Sequence, residues 1–501
     1  MTNADYDMDK TMINQTINTP PIVYNKKEPI VSIATAPGRG AIGVIRISDG
    51  AFLPQSEQAL SPLLEAVIQT VLKRSKLDVR YAHFGSFFDW EGELLDEGIA
   101  LYFSSPNSYT GESVLELQGH GGSAVMQRLL DVCLKVGEPF GLRLARAGEF
   151  TERAFLNEKI DLLKAESIAD LIHAQSSHAA KSAARSLSGQ FAQELTRVQE
   201  QMIQLRLLVE ATLDFPEEEI DFLERAKARE QLDSLISQVN IAMQQSKQGV
   251  LLQHGISVVL VGSPNVGKSS LMNALARDEV SIVSPIAGTT RDHLKETIHL
   301  HGVPVRLIDT AGLRETNDEI ERLGIERTWK EIEKAHLVIH LLDVSRLDDA
   351  LQQTQENQLL AQIKTKTQLN QNAYVTVYNK IDLLSPIALE ALKAQTDTDL
   401  SVWVSAQQKM GLDQLENLIL KQVGFEQTQE TPFMARERHI VALQNSLDAL
   451  DIAQQLLKEG YHFDLMAEHL RLAHRSSGEI LGEFSADDLL GKIFSSFCIG
   501  K

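Results

Sequence analysis

The stretch from Ile256 to Asn273, ISVVLVGSPNVGKSSLMN, constrains this chain more than any other. Apolar and β-branched residues run from Ile256 to Val261 and stop at Gly262. GSPNVGKS then fits the strand, GxxxxGK[ST], helix template of a phosphate-binding loop. The chemistry explains the spacing. Gly262 and Gly267 allow a turn tight enough to aim several N–H groups at one anion. Lys268 adds a point charge for the β- and γ-phosphates, and the Ser269 hydroxyl can complete a Mg²⁺ shell. A helix over Ser270 to Ala276 would present its positive N-terminus to the same anion. Alone, such a run is also an ordinary glycine-rich turn, so its meaning depends on the residues downstream.

Four further pieces come next, in the order of a guanine-nucleotide switch. Thr289 and Thr290 lie in SPIAGTTRD (284–292), where a mobile segment would bring a hydroxyl to Mg²⁺. The strand-like VRLID (305–309) ends in DTAG, where Asp309 would hold the metal through water and the Gly312 N–H would sense the γ-phosphate. AYVTVYN (373–379) ends in NKID, whose Asp382 can accept from guanine N1–H and the 2-amino group while Lys380 packs over the base. VSA (404–406) offers the Ala406 N–H to guanine O6, although Gln407 stands where Lys is usual. One absence is informative. Many GTPases orient water with a Gln directly after the DxxG glycine, and this chain has Leu313 there. Another group must position water and neutralise charge.

At 501 residues the chain is long enough for several domains, with ample core. Cys133 and Cys498 are too few for a disulfide framework or a zinc pattern, and Cys133 sits among apolar neighbours as a small buried hydrophobe. The net charge of −20 argues against broad wrapping of nucleic acid, so any RNA contact should be local or shared with a more basic partner. No signal peptide or membrane-spanning run is evident, which predicts a cytoplasmic protein. Residues 1–28 are polar and aperiodic, a disordered tail. Residues 29–150 alternate strand-like runs with a helix over Ser123 to Val136, a compact α+β domain. Helical periodicity starts at Thr151, a candidate cap, and fills 151–250. After the nucleotide region, 251–424, it returns over Arg436 to Lys458 and Phe463 to Ile480, within 425–501. The expected architecture is a discontinuous helical domain with an α/β nucleotide domain inserted in it.

These residues resemble the MnmE/TrmE family of tRNA-modification GTPases. The likeness runs from about residue 29 to 501 and includes APGRGAIGVIRIS, NSYTGESVLELQGHGG, GEFTERAFLNEKIDLLKAESIADLI and the terminal DDLLGKIFSSFCIGK. It implies an N-terminal domain that binds a tetrahydrofolate derivative (the 5,10-methylene or 5-formyl form) and dimerises, and a Ras-like P-loop domain. The resemblance also implies a homodimer working with an FAD-dependent partner of the MnmG/GidA type, in a heterotetramer or larger complex, on the wobble uridine of certain tRNAs. FAD belongs to the partner alone. There a folate-derived one-carbon unit and an amine become an aminomethyl-type, carboxymethylaminomethyl, group at C5. Folate contacts map to Arg46, Glu116, Lys159 and Lys501. K⁺ ligands map to Asn265, Ser284, Ile286 and Thr289, with Ser284 replacing the more usual Thr. Mg²⁺ ligands map to Ser269 and Thr290, and the catalytic set to Glu321, Lys268 and Thr290. The GTP site would be Asn265, Val266, Gly267, Lys268, Ser269, Ser270, Ser284, Thr289, Thr290, Asp309, Thr310, Ala311, Gly312, Asn379, Lys380, Asp382, Ser405 and Ala406.

Without the resemblance, Arg46, Glu116 and Lys159 would read as ordinary surface charges, and His120 as a turn or pocket residue. Arg291 and Arg314 read as structural or switch residues, because the family's K⁺ fills the arginine-finger role. Two rival readings stand beside this one. A ribosome-assembly GTPase timing RNA binding would predict a basic RNA-binding module. A folate-binding scaffold with a regulatory G domain would turn over GTP slowly.

Overall fold

The computed structural model describes residues 28–50, 60–174, 176–214, 227–276, 297–309, 329–330, 332–347, 350–366, 373–396, 398–425, 433–459, 462–483, 497 and 500. The chain divides into two compact units, Met1–Ile160 with Asp487–Lys501, and Asp161–Ala486.

In the first unit, alternating sequences form strands β1 (Ile30–Ile33), β2 (Ile42–Ser48), β3 (His83–Phe88), β4 (Leu94–Phe103), β5 (Val114–His120) and the short β6 (Arg143–Leu144). The sheet order is β3-β4-β5-β2-β1-β6, antiparallel except where β6 runs parallel to β1. One face buries Ile45, Ile47, Leu115 and Leu117 against α1 (Pro62–Leu72) and α2 (Ser123–Gly137). Cys133 is fully buried in that core as expected, and burial pushes its thiol up to about 12.

The expected boundary at residue 150 is displaced. Helix α3 (Glu149–Leu156) belongs to the first unit, because Phe150 packs with Ile30 and Ala145, and Arg153 is buried against Glu112 at 2.9 Å. Thr151 is not a cap. It lies buried within α3 with its hydroxyl 2.8 Å from that of Tyr109. The expected continuous helix breaks at 157–161, and Asp161 caps α4 (Leu162–His173) by accepting from the Lys164 N–H.

The second unit holds α4, α5 (Ser177–Leu187), α6 (Gln190–Asp214) and α7 (Ala228–His254) before the inserted domain. Two long exit helices, Glu437–Glu459 and Phe463–Leu481, come after it. Leu205, Val239, Leu443, Leu450 and Leu470 share one core, so helices from both sides of the insertion bury each other. Buried Glu166 of α4 receives both ends of the Arg438 guanidinium at 2.8 Å and lies 3.0 Å from His439 Nε2. Burial pushes the Glu166 carboxyl up, but these partners outweigh it and hold it well below the ordinary carboxylate range.

The inserted domain is a twisted sheet in the order β12-β11-β10-β7-β9-β8: β7 (Ile256–Val261), β8 (Thr297–Leu300), β9 (Val303–Asp309), β10 (Leu337–Asp343), β11 (Tyr374–Asn379) and β12 (Ser401–Trp403). All neighbours are parallel except β8 with β9. Buried strands explain the near-continuous apolar runs. Helices α8 (Lys268–Leu275), α9 (Ala350–Lys366), α10 (Pro386–Thr396) and α11 (Leu412–Gln422) accompany it. Strand β7 lies between β10 and β9, so its C-terminal end is a topological switch point, where open α/β sheets bind ligands. The insertion is anchored at its exit as well. Gly249 of α7 lies so close to the Phe433 carbonyl that a Cβ would stand 2.0 Å from that oxygen.

Candidate functional site

The phosphate-loop sequence leaves β7 at Gly262 and enters α8 through Gly267, whose φ of +99° is left-handed. A Cβ on Gly267 would lie 2.4 Å from Asn379 Nδ2, so the position requires glycine for space as well as for conformation. Asn265 is also left-handed, at φ +67°, and exposed. The Lys268 ammonium donates to the Gly262 carbonyl at 2.7 Å and stands 3.9 Å from Asp309 Oδ1, on the adjacent strand end. Ser269 and Ser270 are exposed on the first turn of α8.

Three loops are laced to this cradle. Asn379 donates to the Val266 carbonyl at 2.8 Å and accepts from the Ala406 N–H at 3.1 Å. Lys380 donates to the Asn265 carbonyl at 2.8 Å and to Asp343 Oδ2 at 2.6 Å. Ser405 donates to Asp382 Oδ1 at 2.5 Å. Asp382 Oδ2 has no partner among the described residues and can accept from a base. Beneath the loop, Tyr378 and Trp403 stack at 4.2 Å between ring centres and support the ends of β11 and β12.

Asp343 joins this network through Lys380, and motif spacing does not single it out. It ends the apolar β10 in register with Asn379, a pairing that the sequence does not show. Burial pushes its carboxyl up, but hydrogen bonds from Lys380 and Ser345 outweigh this and leave it below the ordinary range.

In the first unit, Arg46 and Glu116 face each other across β2 and β5, with Nε donating to Oε1 at 2.8 Å. The Arg46 guanidinium lies 5.6 Å from the Tyr109 ring centre and 5.7 Å from that of Phe150. Lys159 packs along Gly111, two residues from Tyr109, and its side chain is exposed. Tyr109 and Phe150, the rings beside Arg46, both lie in stretches that carry the family resemblance. His120 is exposed at the end of β5, with Nδ1 2.7 Å from Asp96 Oδ1.

Residues 29–159 match the family description "GTP-binding protein TrmE N-terminus", and residues 162–498 match "MnmE helical domain". The chain belongs to the MnmE family. The tRNA modification GTPase MnmE of Bordetella avium is 50% identical over 474 residues, spanning 94% of this chain and 99% of that protein. Its namesake in Burkholderia cenocepacia is 50% identical over 476 residues, 95% of this chain and 99% of that protein. The Cupriavidus necator relative is 48% identical over 491 residues, again 94% and 99%. This MnmE-family chain is accordingly a tRNA modification GTPase and a GTP hydrolase, with a TrmE N-terminal domain, a helical domain and an inserted G domain. No helix among the described residues is long and apolar enough to cross a membrane.

Several expected residues fall outside the described ones: Ser284, Ile286, Thr289, Thr290, Arg291, Thr310, Ala311, Gly312, Leu313, Arg314, Glu321, Cys498 and Lys501. The same holds for residues 1–27 of the expected tail and for Pro216. Among the described residues, no cluster of three metal-binding side chains occurs.

Proposed function

We propose that this protein is a K⁺-dependent GTPase that, with an FAD-carrying partner, installs a carboxymethylaminomethyl-type group at C5 of the wobble uridine, drawing its one-carbon unit from a tetrahydrofolate derivative. The observation that carries the reading is the presence, on one chain of this family, of the laced guanine-nucleotide cradle and the Arg46–Glu116 pair walled by Tyr109 and Phe150.

Asp382 would accept from guanine, and the Ala406 N–H, held here by Asn379, would be shared with guanine O6. Lys268 would move from the Gly262 carbonyl to the β/γ-phosphates. The donor set fits the expected ions: the Ser269 hydroxyl lies on the first turn of α8, beside the cradle, and suits Mg²⁺, with Thr290 as second ligand. The exposed, left-handed Asn265 suits K⁺, with Ser284, Ile286 and Thr289 completing the set. Bound there, these cations would neutralise charge that develops on the phosphates, the task left open by Leu313. Glu321 would orient the attacking water through a second water, and Thr290 would close over the metal.

In the N-terminal unit, Glu116 suits the paired N–H donors of a pterin, while Arg46, Lys159 and Lys501 suit glutamyl carboxylates. The protein would work in the cytoplasm as a homodimer within a larger complex. The domain limits fitting this scheme are 29–160 for the folate domain, 161–250 and 425–486 for the helical domain, and 251–424 for the G domain.

Two measurements test the reading. Multiple-turnover GTPase should rise steeply in K⁺ over Na⁺, and equal rates would reject the K⁺ role. Calorimetry should show tetrahydrofolate binding lost in Arg46→Ala and Glu116→Ala with GTPase retained; undiminished binding in both would reject the folate site.

A further inference from the structure

We infer that the turn between α1 and β3 is a surface that binds unpaired bases and phosphates of tRNA. Residues 73–84, KRSKLDVRYAHF, carry four cations against the single carboxylate of Asp78, in a chain whose net charge is −20. Lys73, Arg74, Lys76 and Arg80 are all exposed. Between and beside them stand two uncovered rings, Tyr81 at 61% exposure and Phe84 at 67%. Cations interleaved with exposed aromatics are the combination that single-stranded RNA selects, with phosphates on the charges and bases on the rings.

The patch is built rather than fluid. Arg74 donates to the Phe84 carbonyl at 2.9 Å and lies 3.1 Å from His83 Nδ1, which fixes its guanidinium. Arg80 donates to the Asn107 carbonyl at 2.8 Å, and its own N–H donates to the Tyr102 carbonyl at 2.8 Å. His83, buried beneath, accepts from the Asp78 N–H at 2.8 Å and meets Tyr81 edge-on at 4.9 Å. Positions fixed in advance lose less freedom on binding. On the paired strand, Glu97 accepts from Ser86 at 3.3 Å, further along β3.

The chemistry favours RNA over a second copy of this chain. A two-fold contact would set the same cations against themselves. A tRNA brings phosphates and an unpaired anticodon loop, and it is the substrate of this family. The rest of the chain carries a net negative charge, so a local excess of cations is where RNA phosphates are favoured. The inference rests on the family's tRNA chemistry and not on the K⁺ or folate proposals.

The test titrates the full chain into a fluorescently labelled, unmodified anticodon stem-loop, with a fully paired RNA duplex of equal length as comparison. Variants are Tyr81→Ala with Phe84→Ala, and Lys73→Glu with Lys76→Glu; circular dichroism and thermal unfolding of the full chain check the fold of the N-terminal unit, and GTPase activity that of the other. Losing two stacked rings should weaken stem-loop binding by about tenfold or more. Losing two phosphate contacts should reduce the salt slope by roughly 1.4, at about 0.7 per contact for single strands. The duplex should bind at least about tenfold more weakly, having no base to stack. The inference falls if the wild-type chain does not bind the stem-loop, or if either variant binds within twofold of it. It also falls if the variants lose self-association while keeping RNA affinity.

Discussion

Replacing Asp343 with alanine should weaken GDP binding by about five- to thirtyfold, a figure set by its place behind Lys380. The Asp343 side chain is 4% exposed and its carboxylate lies 2.6 Å from the Lys380 ammonium, which is 31% exposed. Truncating one partner of a fully desolvated charge pair costs about 2–5 kcal/mol. Water reaches Lys380, so screening brings the loss to about 1–2 kcal/mol. At about 1.4 kcal/mol per tenfold in affinity, that range gives the stated weakening. The loss should fall on nucleotide affinity because Lys380 also holds the Asn265 carbonyl of the phosphate loop at 2.8 Å. Asp343→Asn keeps an acceptor without the charge and should lie between, since charge-assisted bonds are roughly twice as strong as neutral ones. Titration with a fluorescent GDP analogue in K⁺-free buffer reads the effect without involving the cation question, and thermal unfolding checks the fold. A dissociation constant within twofold of wild type for the alanine variant would refute the argument.

Three other outcomes are expected. Gly267→Ala should lose GTP binding by about a hundredfold or more in a folded chain, because φ +99° and the nearby Asn379 amide leave no room for a methyl group; nucleotide titration with circular dichroism decides. Asp382→Asn should lose GTP and gain xanthosine triphosphate, since the carboxylate is the group left to accept from guanine; unchanged GTP affinity would show that the base lies elsewhere. Glu149→Gln should destabilise the N-terminal unit at pH 7 and flatten its acid unfolding, read from urea midpoints at several pH values. Burial pushes Glu149 up, but Arg143, the Arg146 N–H and Arg153 outweigh this and take it from 4.5 to about 2. A lowered folded value means stability that is complete above about 4.5 and lost as the pH falls toward 2. An identical acid profile in the variant would count against this ion pairing.

The phosphate loop, NKID and VSA meet at one sheet edge because each is a short run at the end of an apolar strand. A parallel sheet gathers strand ends at one edge, so order along the chain suffices to assemble them. Asp343 shows what that pattern cannot reach. A carboxylate after an apolar strand has no local signature, and its meaning comes from the β10–β11 register that sets it beside Asn379. Thr151 departs from expectation for a related reason. Helical periodicity does begin there, but the helix is claimed by partners far away in sequence, Glu112 for Arg153 and Tyr109 for Thr151 itself. Local pattern predicts a helix and gives no sign of which core will bury it.

The same distinction governs the helical domain. Amphipathic spacing predicts helices on both sides of the insertion, whereas the bond that joins them is a buried charge cluster spanning more than half the chain. Glu166 and Arg438 are 272 residues apart, and each would read alone as an exposed helix charge. Glu166 is buried and Arg438 half-buried over it, also donating to the carbonyls of Glu479 and Ile480. Removing Glu166 would take the carboxylate from Arg438, Arg436 and His439 together, which costs more than the pair contributes when intact. The insertion is held by packing as well. Leu252 before it and Met434 after it lie in one hydrophobic cluster with Val258 and Leu260 of the phosphate-loop strand. The entry and exit of the G domain are therefore built into its core. Displacing the G domain as a rigid body from those flanking residues would open apolar surface next to β7, so the helical segments before and after the insertion are mechanically joined to the strand that carries the phosphate loop.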